Sequence, residues 1–220
     1  MQNSFTEENY LKIIHNLSGR DDLEVSTNAL AESTATRAAS VTDMLRKLAE
    51  KGLIHYKKYQ GVRLTEEGQK VALKVIRKHR LWEVFLVEKL GFGWDEVHDI
   101  AEELEHIPSD RLVERLDAYL DHPQFDPHGD PIPDAKGNMP APDYLKLSDI
   151  PLGHRALMMG VLEHTPAFLQ HLDRSGLTLG CEIEIKEVNE FDKSAQIQIN
   201  SQRTLFISQE VSRNVLVQRL

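Results

Sequence analysis

Six side chains in two neighbouring stretches have the types and spacing to hold a divalent metal ion. If residues 96–107 are helical, His98, Glu102, Glu105 and His106 fall at i, i+4, i+7 and i+8, the spacing that stacks side chains on one stripe. One helix upstream, His79 and Glu83 repeat the i, i+4 step. Imidazole nitrogens and carboxylate oxygens are donors that first-row divalent ions accept, so two such helices predict one or two metal sites. A stripe of Glu and His is also the make-up of an ordinary solvated face. Two features favour chelation. Trp82, Phe85, Leu86, Val97, Ile100, Ala101 and Leu104 give the same helices apolar faces, so the stripe borders a core, and no Lys or Arg lies between Gly91 and Pro108.

Three helices must position these residues: one from about Glu66 to Lys89, the metal-candidate helix, and one from Ser109 to about Leu120. Their apolar faces exceed what one small domain can cover, which predicts a symmetric homodimer through this region. Residues 121–142, rich in Pro, Gly and Asp, read as an ordered loop followed by a flexible linker. Residues 154–174 read as helical. From Leu177 the pattern turns to β, with strands at 182–188, 195–199, 204–207 and 215–217, which suggests a small SH3-like barrel. Cys181, the single cysteine, is expected to be buried in a strand and excludes an internal disulfide.

Upstream, residues 4–18 read as a helix capped by Ser4 or Thr6, with Tyr10, Leu11, Ile14 and Leu17 at helical spacing. Ser26 or Thr27 opens a second short helix, residues 32–34 turn, and a third helix over about 35–50 packs Val41, Leu45 and Leu48 inward. That is the plan of a helix-turn-helix. Residues 52–65 then form two short strands around a basic turn, a wing. Thr36, Arg37, Ala38, Ala39, Ser40 and Thr42 at the start of the third helix are small or hydrogen-bonding and suit base edges in a major groove. Lys57, Lys58, Tyr59 and Arg63 on the wing suit phosphate. A winged helix that binds protein has the same outline.

The chain carries a net charge of −9, yet residues 1–80 hold 14 basic against 10 acidic residues and 81–220 hold 12 against 25, so +4 in front and −13 behind. A phosphate backbone senses local charge within a Debye length of roughly 8–10 Å, so the basic front is compatible with double-stranded DNA. No apolar run approaches the roughly 18 residues of a membrane span, and the N-terminus lacks a signal pattern. A cytoplasmic protein with no membrane partner is expected.

The chain resembles the diphtheria-toxin-repressor and manganese-transport-regulator family of metal-dependent transcriptional repressors. The resemblance runs from Glu8-Asn9-Tyr10-Leu11 through Leu64-Thr65-Glu66-Glu67-Gly68. It continues with Arg77-Lys78-His79-Arg80-Leu81-Trp82-Glu83, the segment from Val97 to His106, and Pro127-His128-Gly129-Asp130-Pro131-Ile132-Pro133. It implies a mainly α protein with a small all-β C-terminal domain. Residues 1–65 would be a winged helix-turn-helix, 66–142 a metal-binding and dimerisation domain with linker, and 143–220 a helical segment and an SH3-like, FeoA-type barrel. By the same resemblance Asn9, Glu102, Glu105 and His106 would form a primary metal site, and His79, Glu83 and His98 a second one. Glu163 and His164 lie about where C-terminal ligands would fall.

Iron-type members carry Cys where this chain has Glu102 and Met where it has Asn9; manganese-type members carry Glu and Asp. Oxygen in place of sulfur makes the site harder and points to manganese(II) as co-repressor, with iron(II) as the alternative. Lys12 stands where the manganese branch has an acid. The implied mechanism is that metal ties the first helix, through Asn9, to the helix carrying Glu102, Glu105 and His106. That fixes two recognition helices of a dimer at about 34 Å or a multiple of it. A di-metal carboxylate enzyme is the remote alternative, suggested by Glu103-x-x-His106. Such centres take two Glu-x-x-His helices and two further Glu, and this motif occurs once. The chain also lacks a nucleophile elbow, a P-loop and a GxGxxG fingerprint.

Overall fold

Ser4 starts the first helix by a reciprocal cap. Its hydroxyl accepts from the Glu7 amide at 3.3 Å while the Glu7 carboxylate accepts from the Ser4 amide at 2.8 Å, giving α1 (Phe5–Ser18). The computed structural model describes residues 3–19, 23–57 and 61–220. The chain divides into two units, one comprising Met1–His79, Leu104–Pro108 and Pro133–Asn138, the other Arg80–Glu103, Ser109–Ile132 and Met139–Leu220.

In the first unit Ser26 caps α2 (Thr27–Ser33), and a turn leads into α3 (Ala38–Glu50). The third helix begins three residues later than its apolar spacing predicts. Ala35 adopts a left-handed φ of 48° and Arg37 is extended, so Thr36 and Arg37 lie in the turn. Tyr10, Leu11 and Ile14 of α1 pack with Leu30, Val41, Leu45 and Leu48. The wing is β1 (Ile54–Lys57) paired antiparallel with β2 (Gly61–Leu64), Lys57 opposite Gly61. Lys58 and Tyr59 lie outside the described residues. Two ion pairs join α1 to α3 and its C-cap: Glu7, 1% exposed, sits 2.8 Å from Lys51 Nζ and 3.1 Å from Lys47 Nζ. Burial opposes its ionisation, but Lys51, the Ser4 amide and Lys47 outweigh it and hold the carboxyl down at about 2.

The long helix α4 (Glu66–Leu90) runs through both units. In the second unit Leu81 and Val84 pack with Leu116, Leu120 and Ile132, which brings α4 against α6 (Asp110–Tyr119). Helix α5 (Val97–Leu104) is shorter than the stripe of ligands predicts. Glu105 and His106 occupy the turn that follows, so the four residues do not share one helical face: His98 and Glu102 belong to the second unit, Glu105 and His106 to the first.

The C-terminal part is a six-stranded antiparallel sheet in the order β3-β8-β4-β5-β6-β7. Its strands are β3 (Leu145–Lys146), β4 (Arg155–Val161), β5 (Glu182–Val188), β6 (Ala195–Ile199), β7 (Arg203–Ile207) and β8 (Val215–Arg219). Helices α7 (Pro166–Ser175) and α8 (Gln209–Asn214) accompany it. Residues 154–174 are therefore not one helix. The run Ala-Leu-Met-Met has helical propensity, but pairing with β5 and β8 buries Ala156, Met158 and Gly160 in alternation, and tertiary context overrides the local preference. Cys181 is buried immediately before β5.

Strand β4 approaches the loop after α6 at backbone level, where the Val161 amide donates to the His128 carbonyl at 3.0 Å. Gly129 has a φ of 88°, and a Cβ there would run into the Met159 carbonyl and the Gly160 Cα. Gly153 has a φ of 75° with open space around it. Gly153→Ala should therefore cost only the left-handed strain of about 1–2 kcal/mol. Gly129→Ala, which adds a backbone collision, should cost about 3–4 kcal/mol. Denaturant melts of the two variants check this, and equal losses would show that the loop yields without cost.

Candidate metal centre

In the first unit one face of α1, carrying Phe5, Glu8, Asn9 and Lys12 at i, i+3, i+4 and i+7, meets the turn holding Glu105 and His106. Phe5 stacks on the His106 ring, with centroids 4.6 Å apart at 18°. His106 Nδ1 lies 2.8 Å from Glu8 Oε2, a bond in which the ring N–H donates. That leaves the lone pair on Nε2, which is buried and has no hydrogen-bond partner among the described residues. Asn9 Oδ1 is buried and unpartnered in the same way. Glu105 has no exposed surface; Lys12 Nζ bonds its two oxygens at 2.6 and 2.8 Å, and His79 Nδ1 meets Oε2 at 2.7 Å. A buried polar atom without a partner is costly. A histidine whose Nδ1 is held by a carboxylate while Nε2 is offered is the arrangement that second-shell contacts impose on metal ligands. The amide oxygen of Asn9 and the imidazole of His106 thus fit a divalent cation.

The second unit holds a separate cluster. Glu83 Oε1 lies 3.7 Å from His98 Nδ1, and His98 Nε2 lies 3.7 Å from Glu102 Oε1. Glu83 Oε2 lies 3.7 Å from the Nδ1 of His128, a residue 2% exposed. The His128 Nε2–H donates to the Trp94 carbonyl at 2.8 Å, so in the neutral ring Nδ1 carries the lone pair and faces Glu83 and Asp126. One ligand atom each from Glu83, Asp126 and His128 lie within 4.8 Å of one another. The loop sets this geometry: Asp126 Oδ1 accepts from the amides of His128 at 2.8 Å and Asp130 at 3.0 Å. Arg80 reaches Asp126 at 3.5 Å, Asp130 at 3.2 Å and the Pro131 carbonyl.

Asp126 and His128 were not among the residues singled out by spacing, because they are on a loop some 40 residues from Glu83 and have no period. The available signal was the density of Asp, His, Gly and Pro in residues 126–133. His164 stacks on His128 at 4.8 Å, and its burial pulls its pKa down. Glu163 accepts from the Thr165 amide, two residues on, at 2.9 Å.

On the prospective DNA face, Thr36, Arg37, Ala38, Ala39 and Ser40 are all exposed and Thr42 is half-buried. Thr42 donates back to the Ala38 carbonyl at 2.9 Å, and the Thr36 and Thr34 hydroxyls are 2.7 Å apart. Lys57 is exposed, and Arg63 lies 3.6 Å from Glu24.

Three family descriptions match the chain in succession. They are "iron dependent repressor, N-terminal DNA binding domain" over residues 4–62, "iron dependent repressor, metal binding and dimerisation domain" over 65–134, and "FeoA domain" over 145–219. The diphtheria toxin repressor of Corynebacterium glutamicum is 30% identical over 190 residues, covering 82% of this chain and 83% of that protein. A probable metal transport system membrane protein of Chlamydia trachomatis is 44% identical over 86 residues, but the chain spans 19% of that protein's length. No helix among the described residues is long and apolar enough to cross a membrane. The solved structure of a manganese-dependent transcriptional repressor in complex with manganese has a TM-score of 0.88 at 37% identity, covering 97% of this chain and 100% of that one.

Two groups of the second cluster hold their protons to higher pH than usual. Burial works against a charged His128, but the hydrogen bond and charge of Glu83, then Asp126 and the Trp94 carbonyl, carry it from 6.5 up to about 9. Burial, then the charges of Glu83 and Asp130, push Asp126 from 3.8 up to about 7. Raised values mean that the folded chain binds more protons than the unfolded one, so stability falls as pH rises, through 3.8 to 7 for Asp126 and 6.5 to 9 for His128. The metal-free protein should melt at a lower temperature near pH 9 than near pH 6, and His128→Gln should shrink that difference. Melting curves that do not depend on His128 would contradict the coupling.

Proposed function

The chain belongs to the diphtheria-toxin-repressor family of metal-dependent transcriptional repressors, and on that premise we propose that manganese(II) is its co-repressor, acting on a homodimer that binds operator DNA in the cytoplasm. The family is one of DNA-binding repressors and not of enzymes, which sets aside the di-metal enzyme. The observation that carries the reading is the pair of buried, unpartnered donors, Asn9 Oδ1 and His106 Nε2.

The proposed ligands of the first unit are Asn9, Glu105 and His106. In the second unit they are Glu83, His98 and His128, with Asp126 beside them. Glu102, 3.7 Å from His98, and His79, 2.7 Å from Glu105, stay in the ligand set. A bound divalent ion would supply the charge that draws amide oxygen, carboxylate and imidazole onto one point. The donors are nitrogen and oxygen throughout, and hard oxygen donors suit manganese(II). Iron(II) accepts the same donors and is named in the matching family descriptions, so it is the alternative.

Helix α1 is the link to DNA. One side of it faces Glu105 and His106, and Glu7 on another side holds Lys47 and Lys51 of α3. Setting α1 therefore sets α3, whose N-terminal half, with Ala38, Ala39, Ser40 and Thr42, is proposed to read bases together with Thr36 and Arg37 of the turn before it. Lys57, Lys58, Tyr59 and Arg63 are proposed to hold phosphate. In a two-fold dimer the two α3 helices must sit about 34 Å or a multiple of it apart.

Operator selection with metal-free protein and with buffered manganese(II), iron(II) or zinc(II) tests the proposal. Binding should appear with metal, and, since iron(II) and zinc(II) bind such donors more tightly in general, manganese(II) should be the ion whose effective free concentration falls within its own cellular supply. His106→Ala and Glu105→Gln should each weaken metal-dependent binding by about tenfold or more, the cost of one charged or ligating contact of 1.5–3 kcal/mol. Equal DNA binding with and without metal would overturn the reading.

A further inference from the structure

Lys12 is 8% exposed, and its ammonium closes on both oxygens of a carboxylate that has no exposed surface. His106 Nε2 stands 3.6 Å from one of those same oxygens. Glu105 thus holds a cation of the chain's own beside the unpartnered Nε2 of His106. We propose that Lys12 is a tethered cation that competes with the divalent ion for Glu105 and holds α1 to the Glu105–His106 turn when no ion is bound, so that it sets the metal concentration at which the protein responds. The inference rests on the reading of Asn9, Glu105 and His106 as ligands.

Two cations cannot share a buried carboxylate without repulsion, because opposite charge favours each of them there and like charge disfavours both. Metal binding must therefore either move the ammonium away on its flexible four-carbon stem or proceed against it. Both routes weaken the ion's hold. The same bond has a second effect. Together with the Phe5 stack and the Glu8–His106 bond, it fastens α1 to the turn through contacts that contain no metal. A protein built this way has its first helix partly seated before the ion arrives.

Lys12 is a positioning residue in this account, and its charge is what matters. Lys12→Met keeps the length and the apolar stem and removes the charge; Lys12→Arg keeps the charge; Lys12→Gln serves if the Met variant does not fold. Full-length metal-free proteins would be titrated with manganese(II) by calorimetry, with His106→Ala marking which binding event belongs to this centre, and each would be melted with and without manganese. The Met or Gln variant should bind manganese at the His106-dependent site about tenfold or more tightly, the scale of losing one like charge near the ion. Its metal-free form should melt at a lower temperature, and manganese should raise that temperature further than it does in the unaltered protein. The Arg variant should stay near the unaltered one. Unchanged manganese affinity and unchanged melting in the Met and Gln variants would overturn the role of Lys12 alone. Absence of any His106-dependent manganese binding in the unaltered protein would overturn the centre, and the role of Lys12 with it.

Discussion

A carboxylate with no access to water has to be neutralised by the protein or by something the protein binds, and Glu105 is such a group. Removing an ion of that size from water carries an effective penalty of several kcal/mol, roughly, even after relaxation. The first unit meets that demand with groups from two directions, Lys12 from α1 and His79 from α4, while the adjacent His106 is held from α1 by Phe5 and Glu8. The position of α1 is therefore tied to the charge state of one buried point. Any cation that enters there acts on a helix that is already part of the DNA-binding unit.

The second cluster solves the same problem differently. Glu83 and Asp126 are both buried, and their neighbours are Arg80 and the imidazole of His128. Here the charge is balanced by an arginine that is always protonated and by protons that the cluster itself retains, with His128 carried up to about 9 and Asp126 up to about 7. A divalent ion at such a cluster must displace protons, because ligands bind metal in their deprotonated forms. A divalent ion would thus be opposed by the Lys12 ammonium in the first unit and by titratable hydrogen in the second. The two clusters would in this way answer differently to pH.

Residue type was a better guide than periodicity. The winged helix-turn-helix was legible because Ser4 and Ser26 cap helices and because Tyr10, Leu11, Ile14, Val41, Leu45 and Leu48 mark their buried sides. Both histidine-carboxylate stretches proved to be places where such groups cluster. The helical period misled where backbone hydrogen bonding ended: α5 stops at Leu104, and Glu105 and His106 owe their positions to the turn beyond it. Residues 155–161 misled for the opposite reason, since strand pairing settles what local propensity leaves open. Asp126 and His128 were not legible from spacing at all. They are brought to Glu83 by an Asx-type turn and by Gly129, which lets the loop lie against the backbone of β4.

The reach of α1 explains why a short helix can carry a regulatory role. Glu7 and Glu8 are adjacent in sequence, so their side chains leave the helix about 100° apart, and they cannot serve the same neighbour. Glu7 is committed to Lys47 and Lys51 at the end of α3, and Glu8 to His106. Two more side chains of the same face, Phe5 and Lys12, add to the second commitment but not to the first. The helix is held on one side by an ion pair buried within the DNA-binding unit and on the other by its contacts to Glu105 and His106. A change at Glu105 would therefore be felt at α3 through one rigid helix of 14 residues, without any need for a longer path of coupled side chains.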